Sequence, residues 1–245
     1  MVIGSLRVVN GKKFMKRSDL GIVLFIALLF LPFVIFDSAY TFYKHAYASF
    51  PFILSFLKFA VLATIGELIG LRIRTGYYFR KGFGVLPRAI VWGFLGMTIQ
   101  AAFLIFGSGA PGLLEFIGID GAAAYMEGPL GWGKLLSAFS ISFFLNIFYA
   151  PVLMTAHRIT DTHIENTGGT IAGLFSGMDI ENILKNIDWK MHYDFVLKKT
   201  IFLFWIPAQT LNFLMPEELR VLIAAFYGII LGVILAFAAR SKTDL

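Results

Sequence analysis

The segment LGIVLFIALLFLPFVIF, residues 20–36, carries no charged side chain. A helix needs roughly 20 mostly apolar residues to cross the hydrocarbon core of a bilayer, and about 17 can suffice. The segment therefore predicts a membrane-spanning helix. The rest of the chain is similar, because 58% of its residues are hydrophobic and only 15% are charged, against about 25% charged residues in soluble domains. We predict an all-α integral membrane protein.

Five further segments have the length and apolar content of a crossing. They are residues 49–71, 88–107, 134–156, 196–214 and 220–239. The predicted fold is a polytopic bundle of six transmembrane helices in one membrane domain, residues 1–245. Within it, residues 1–48 form a basic N-terminus with an added first span, and residues 49–240 form the helical core.

A cleaved signal peptide is the alternative interpretation of the first span. Twelve residues separate Phe36 from the end of the cleavage-like sequence Ala46-Tyr47-Ala48. That distance is long for a signal sequence, and the apolar run is also longer than usual. A retained first helix is favoured.

The positive charges between the segments predict the orientation, since Lys and Arg accumulate in cytoplasmic loops. Residues 72–88 and 157–195 are rich in them, with Lys198 and Lys199 following at the start of the next helix, whereas residues 37–48, 108–133 and 215–219 carry one at most. Both ends of the chain are basic, with Arg7, Lys12, Lys13, Lys16 and Arg17 at one end and Arg240 and Lys242 at the other. This alternation predicts six crossings with both termini in the cytoplasm.

The same distribution excludes some partners and chemistries. The net charge of +6 is spread over several loops, so we predict no nucleic-acid partner. The chain has no cysteine, which excludes disulfides, thiolate metal sites and cysteine nucleophiles.

Two of the connecting segments have a recognisable pattern. Residues 108–133 are Gly-rich and weakly apolar, which predicts a loop at the outer interface. Residues 178–190 place apolar residues at helical spacing, with charges opposite them. This pattern predicts a short amphipathic helix on the inner membrane surface, or equally a loop helix packed on the bundle. The apolar residues are Ile180, Ile183, Leu184 and Ile187.

A few polar residues interrupt the predicted crossings, where polar side chains are costly and mark function or packing. Lys58 and Glu67 are nine residues apart, which places them on opposite sides of one helix and prevents them from pairing. By helical rise, Gln100, Asn146 and Gln209 lie with Lys58 in the outer half to the middle of the membrane, and Glu67 lies nearer the inner face. The full set is Lys58, Glu67, Gln100, Asn146, Gln209 and Asn212.

These residues have two interpretations. They could line a polar pathway, with Asn212 and Arg220 shaping its outer mouth. Alternatively, Asn and Gln could bridge helices, Lys58 could extend its amine to the interface, and Arg220 could cap the turn at Pro216.

Small residues and prolines predict how the helices pack. Gly66 and Gly70, and likewise Gly228 and Gly232, form small-xxx-small patterns that allow close helix approach, and they are candidate contacts of a homo-oligomer. Prolines within crossings predict kinks. These prolines are Pro32, Pro151 and Pro207.

His157 and Asp161 are four residues apart, which puts a base and a carboxylate on one helix face. With His163 and Glu165 they could offer metal ligands, but the spacing matches no strong zinc motif. We therefore predict no catalytic residue, metal or cofactor. A lipid-active enzyme using His157 and Asp161 is a lesser alternative, which requires the two side chains to face one cleft.

The segment WIPAQTLNFLMPEELRV, residues 205–221, resembles the signature of the Mpv-seventeen / peroxisomal membrane protein family. In that signature Trp, Pro, Gln, Asn-Phe, Pro and Arg recur before the last helix, although here the first Pro is one position late and the Asn-to-Pro gap is one residue short. Weaker similarities lie upstream. They are Gly66-Glu67, Arg88 with Gly93 and Gly96, and Asn146 ahead of Ala150-Pro151, where Leu145 replaces the family's Asp.

This resemblance implies an inner-membrane or organellar protein, in a family whose members have been proposed to act as channels or metabolite pores. We expect a small channel or pore for a metabolite or ion in a prokaryotic cell membrane, with an organellar membrane as the alternative. A structural or regulatory membrane protein without a pore is the second hypothesis. The expected partners are the lipid bilayer and a small molecule or ion.

Overall fold

The computed structural model describes residues 17–241, and every regular element among them is a helix. The all-α prediction is therefore confirmed for this part of the chain. The basic residues Arg7, Lys12, Lys13, Lys16 and Lys242, which contribute to the predicted orientation, lie outside the described residues.

The chain divides into one unit up to Ala46 and a second from Tyr47 onward. The first unit contains α1 (Arg17–Ile35), which covers the first predicted crossing except Phe36, and most of α2 (Asp37–Ser49). Residues 37–48, the predicted connection between the first two crossings, are helical, since α2 occupies this segment. Low hydropathy indicates that a segment is not in lipid, and it does not indicate whether its backbone is helical.

The second unit begins with two long helices and ends with a third. The intervening segments include two stretches of π-helix, π1 and π2. The elements are α3 (Pro51–Thr75), α4 (Val85–Phe116), α5 (Ala122–Tyr125), α6 (Trp132–Phe144), π1 (Leu145–Tyr149), α7 (Ala150–Asn166), α8 (Ile171–Leu174), α9 (Ile180–Asn186), α10 (Trp189–Met191), π2 (His192–Trp205), α11 (Ile206–Phe213) and α12 (Glu217–Ser241).

Glycines allow α3 and α4 to pack closely. A Cβ atom at Gly93 would lie 2.4 Å from the ring of Phe56, and one at Gly96 would lie 2.6 Å from the Cβ of Phe59. A side chain at Gly93 would displace the Phe56 ring, and one at Gly96 would displace α3 itself, because the Ser55 oxygen is also 2.6 Å away. Bulky apolar residues on α3 thereby contact the α4 backbone.

The predicted glycine pair on α3 serves a contact within the chain. Gly66 and Gly70 are both buried and face α12. A Cβ atom at Gly66 would lie 3.1 Å from Ile229, and one at Gly70 would lie 3.9 Å from the Gly232 oxygen. The small residues therefore bring α3 and α12 together, and the homo-oligomer stays a prediction.

Two of the predicted proline kinks are accompanied by π-helix. Pro151 and Pro207 lack an N–H group, and the preceding turn of helix widens in both places. The N–H of Ala150 bonds to the Leu145 oxygen, and the N–H of Ile206 bonds to the Ile201 oxygen, which are five-residue spacings. The wider turn compensates for the missing donor and is a frequent feature of functional sites.

Three helical segments in the described residues are long and apolar enough to cross a membrane: Pro51–Thr75, Val85–Phe116 and Trp132–Asn166. The bent pair formed by α1 and α2 would make a fourth. This number is below the six predicted crossings. The helix through π2 and α11 falls short because Lys198, Lys199 and several amide and hydroxyl side chains dilute its apolar content.

Two predicted connecting segments differ in the structure. The helix that contains the third predicted crossing does not end at Gly107, since α4 continues to Phe116 and buries Ala110, Pro111 and Leu114 there. The predicted amphipathic helix at 178–190 is broken into α9 and α10. Ile183 of α9 is only 2% exposed, which favours the interpretation as a loop helix packed on the bundle.

Candidate functional site

A buried arginine organises the most polar part of the structure. Arg88 lies in the first turn of α4, and its Nε donates to the Phe83 oxygen at 2.8 Å. Its NH1 group lies 2.7 Å from Glu67 of α3 and 2.6 Å from Asp161 of α7. Its NH2 group lies 3.0 Å from Glu165. The Arg88 guanidinium therefore joins α4 to α3 and α7 through three carboxylates.

His157 and Trp92 complete the network around Glu67. The Nε1 of Trp92 donates to Glu67 Oε1 at 2.6 Å, and His157 Nε2 lies 2.9 Å from the same oxygen. His157 Nε2 is also 3.4 Å from Asp161 Oδ1. The indole and imidazole rings lie against each other, with centroids 4.3 Å apart. We call Glu67, Arg88, Trp92, His157 and Asp161 the charged cluster.

The turn before α4 brings Arg88 to this position. Gly84 has φ = +71°, and a Cβ atom there would lie 2.5 Å from Ile164 and 2.9 Å from Gly169. Arg80 of the same turn lies 3.6 Å from Glu165. The start of α4 therefore packs against the end of α7, since glycine alone tolerates both this φ and this contact.

Three of these residues have the donor atoms of a metal site. One atom each from Glu67, His157 and Asp161 lie within 4.8 Å of one another. However, Arg88 NH1 already lies within hydrogen-bonding distance of both carboxylates. The positive charge that a metal ion would supply is therefore present, and the arrangement is better described as an ion-pair network.

A cavity of about 500 Å³ extends from the charged cluster into the bundle. Its lining on α4 runs from Arg88 to Phe103, a distance of about 22 Å at the rise of an α-helix. The walls are mostly apolar, with amide, hydroxyl and imidazole groups between them. These polar residues are Asn146, Tyr149, His192, Thr200 and Gln209.

Three of the predicted pathway residues line this cavity, namely Glu67, Asn146 and Gln209. Asn146 donates from Nδ2 to the Ser142 oxygen at 2.8 Å, and Gln209 accepts at Oε1 from Asn212 at 2.8 Å. The other amide atom of each side chain, Asn146 Oδ1 and Gln209 Nε2, makes no hydrogen bond within residues 17–241. These two atoms are thus available to a bound molecule.

The other predicted residues do not line the cavity. Gln100 is buried and accepts from Ser55 Oγ at 3.1 Å, as expected for a helix-bridging amide. Lys58 lies over the Tyr47 ring at 5.0 Å from its centroid. Asn212 donates to the Arg220 oxygen at 3.0 Å, and Arg220 Nε donates to Met215 at 3.1 Å. Arg220 thus caps the turn at Pro216.

Gln100 and Arg220 line a second, much smaller cavity of about 20 Å³ together with Tyr47, Leu104 and Glu217. Phe103 lines both cavities. Its ring packs against Phe213, with centroids 5.0 Å apart. This aromatic pair lies between the main cavity and the Arg220 end of the bundle.

The alternative that gave His157 and Asp161 a role required them to face one cleft, and they do, since both line the main cavity. Sequence reasoning missed Arg88, which was counted as a loop charge, and it missed Trp92. The one sequence feature that indicated this cluster was the four-residue spacing of His157 and Asp161, which places both side chains on one helix face.

His192 lies where π2 begins and lines the cavity. Its Nε2 lies 3.1 Å from Thr155 Oγ1. This histidine therefore adds a hydrogen-bonding group to the lining.

Many large apolar side chains face outward in the second unit. Phe94, Ile105, Phe148, Val152 and Leu203 are all more than half exposed. An exterior of this kind suits lipid, because the tails surrounding a membrane protein are as apolar as its own side chains. No family model, curated protein or solved structure matches the chain.

Proposed function

We propose that this membrane protein is a small pore or transporter, and that the main cavity is part of its solute pathway. The observation that supports this proposal most directly is a cavity of about 500 Å³ lined by Glu67, Arg88, His157 and Asp161. Ionisable residues within membrane helices mark ion and substrate pathways, since they are costly in lipid.

The dimensions of the cavity support this proposal. Ligand sites typically enclose about 300–1,000 Å³. The lining of about 22 Å along α4 covers most of a hydrocarbon core about 30 Å thick. The Phe103–Phe213 contact would then close the pathway towards the Arg220 end, and the solute would pass after these rings move.

Flux through the purified protein in liposomes tests the proposal. Gly228 lines the cavity, and a Cβ atom there has no neighbour within 4 Å. Gly228→Phe should therefore fill the pathway without disturbing the packing and should abolish flux. Phe103→Ala should raise flux by opening the aromatic contact.

Gly107→Phe is the matched control, because Gly107 also has open space around its Cβ position but lies outside the cavity lining. Its flux should equal that of the unmodified protein. The proposal is wrong if no ion or small solute crosses faster than in empty vesicles, or if Gly228→Phe and Gly107→Phe conduct equally.

We also propose that the chain crosses the membrane six times with both termini in the cytoplasm. The fifth crossing would be the continuous helix formed by π2, with 14 residues, and α11, with 8 residues. The sixth would be α12, with 25 residues. The charges of the flanking segments place the two ends of each helix on opposite sides of the membrane.

The absence of cysteine makes this topology easy to test. Single cysteines can replace exposed residues of four connecting segments, at Phe79, Leu130, Phe175 and Met215. A membrane-impermeant maleimide should label Leu130→Cys and Met215→Cys in intact cells, and the other two only after permeabilisation. Labelling of Leu130→Cys and Met215→Cys from opposite sides would rule out six crossings.

A lipid-active enzyme is the second candidate, favoured by the contact of His157 with Asp161 in the cavity. Such a pair could serve as an oriented general base. Phospholipid cleavage that is lost in His157→Ala, in the absence of any solute flux, would favour the enzyme over the pore.

A further inference from the structure

We propose that the main cavity binds a small organic cation, with its positive charge against Glu67 and Asp161 and its apolar part along the aromatic walls. This inference rests on the proposed function, because it names the class of solute that the pathway takes.

The groups of the charged cluster differ in how much they face the cavity. The side chains of Glu67 and Asp161 are 16% and 17% exposed, and that of His157 is 24% exposed. The side chain of Arg88 is only 4% exposed and already makes four polar contacts. A molecule in the cavity therefore meets carboxylates and an imidazole, with the guanidinium behind them.

The charges also favour a cation. Two carboxylates, Glu67 and Asp161, share Arg88 as their fully charged partner, because arginine stays protonated in proteins. A bound cation would lie against these two carboxylates, whose side chains are more exposed than that of Arg88.

The positive charges at the mouth of the cavity are more exposed to water than the charged cluster. Arg74 and Arg158 also line the cavity, but both are exposed residues. Water solvates exposed charges, which weakens their interaction with a nearby charge. Glu165, the third carboxylate, lies at the same mouth and is shared by Arg88 and Arg80. The mouth therefore does not reverse the preference of the buried cluster.

The remaining walls suit a molecule with an ammonium head and an apolar body. Trp92, Tyr149 and Trp205 line the cavity, and aromatic faces attract cations. Asn146 is 3% exposed, lines the cavity and has an unpaired side-chain oxygen. This oxygen can accept a hydrogen bond from an ammonium N–H group. It is a second polar contact, separate from the charged cluster.

A series of probes of one shape tests the preference in the unmodified full-length protein. Benzylammonium, benzyl alcohol and benzoate can be titrated into the detergent-solubilised protein and followed by calorimetry. We expect benzylammonium to bind at least about tenfold more tightly than benzyl alcohol, and benzoate to bind most weakly. Equal affinities, or tightest binding of benzoate, would overturn the proposal.

Variants then locate the site. Asp161→Asn should weaken benzylammonium binding by at least about tenfold and leave benzyl alcohol binding unchanged. Glu181→Gln is the control, since Glu181 is an exposed residue paired with Lys185 on α9 and lies outside the cavity lining. Equal loss in both variants would contradict the assignment. If Asp161→Asn does not fold, Asn146→Leu tests the second contact in the same way.

The two proposals fail in different ways. Benzylammonium binding without any solute flux in liposomes would overturn the pore and leave the cation site standing. Flux that Gly228→Phe blocks, in a protein that does not prefer benzylammonium, would overturn the cation site and leave the pore standing.

Discussion

Replacing Arg88 by Met should destabilise the protein strongly. Arg88 contacts Glu67, Asp161 and Glu165 at 2.7, 2.6 and 3.0 Å and caps the turn through the Phe83 oxygen at 2.8 Å. Methionine keeps part of the side-chain volume and removes every one of these contacts. Glu67 and Asp161, largely buried, would lose their charged partner.

The expected loss of stability follows from leaving Glu67 and Asp161 without the arginine. Removing one partner of a buried ion pair typically costs about 3–5 kcal/mol, because the remaining charge stays buried. Glu165 contributes little, since its side chain is 48% exposed and water can solvate it. We therefore expect Arg88→Met to lower the free energy of unfolding by about 3–5 kcal/mol.

The assay is equilibrium unfolding in mixed micelles, followed by tryptophan fluorescence. Arg80→Met is the control, because Arg80 is exposed and, among residues 17–241, its side chain pairs only with Glu165, at 3.6 Å. Exposed pairs contribute about 0–1 kcal/mol. The triple variant Arg88→Met, Glu67→Gln, Asp161→Asn should recover much of the loss. A loss below about 1 kcal/mol for Arg88→Met would refute the reasoning.

Three further predictions use the same unfolding assay. Gly96→Ala should cost about 1–3 kcal/mol, because its Cβ would meet Phe59 at 2.6 Å. Gly107→Ala, with no neighbour within 4 Å, should not destabilise. Trp92→Phe removes a 2.6 Å donor to a carboxylate and should cost about 1.5–3 kcal/mol; an unchanged stability would contradict the cluster geometry. Gln100→Leu should cost about 1 kcal/mol and leave flux unchanged, since Gln100 bridges helices outside the main cavity. A large fall in flux would return Gln100 to the pathway.

Hydropathy was sufficient to predict the helical class and the positions of the main helices. The predicted segment 49–71 corresponds to α3, and segment 134–156 lies within the continuous helix of α6, π1 and α7. Helix ends were less predictable. Pro51 begins α3 and αL Gly76 ends it, whereas α4 continues through Gly107 because side chains beyond it are buried by other elements.

The charged cluster depends on contacts that no single helix contains. Helical periodicity correctly separated Lys58 from Glu67, but it could not show that Glu67 contacts α4 and α7. Arg88 is the first residue of a predicted crossing, so it was counted as a positive loop charge. Its burial depends on the turn at Gly84 folding against Ile164, which is a tertiary contact between residues 80 positions apart.

The glycine contact and the polar contacts between α3 and α4 lie in the same packing register of the two helices. The two helices run in opposite directions, so residues along one line of contacts share the same sum of residue numbers. Ser55 with Gln100, Phe59 with Gly96, and Glu67 with Arg88 all give 155, and all three pairs are in contact. They are spaced by four and eight residues, as in the packing of i±4n ridges.

This register has consequences for specificity. In an apolar surrounding, sliding α4 along α3 by one turn would change the dispersion contacts little, since most lipid-facing and core side chains are similar. The same slip would separate Glu67 from Arg88 and Ser55 from Gln100, and it would bring a side chain where Gly96 now meets Phe59. Unpaired buried charge alone would disfavour the slipped pair by several kcal/mol. The buried polar contacts therefore select one register, and in that register the α3 carboxylate faces the cavity.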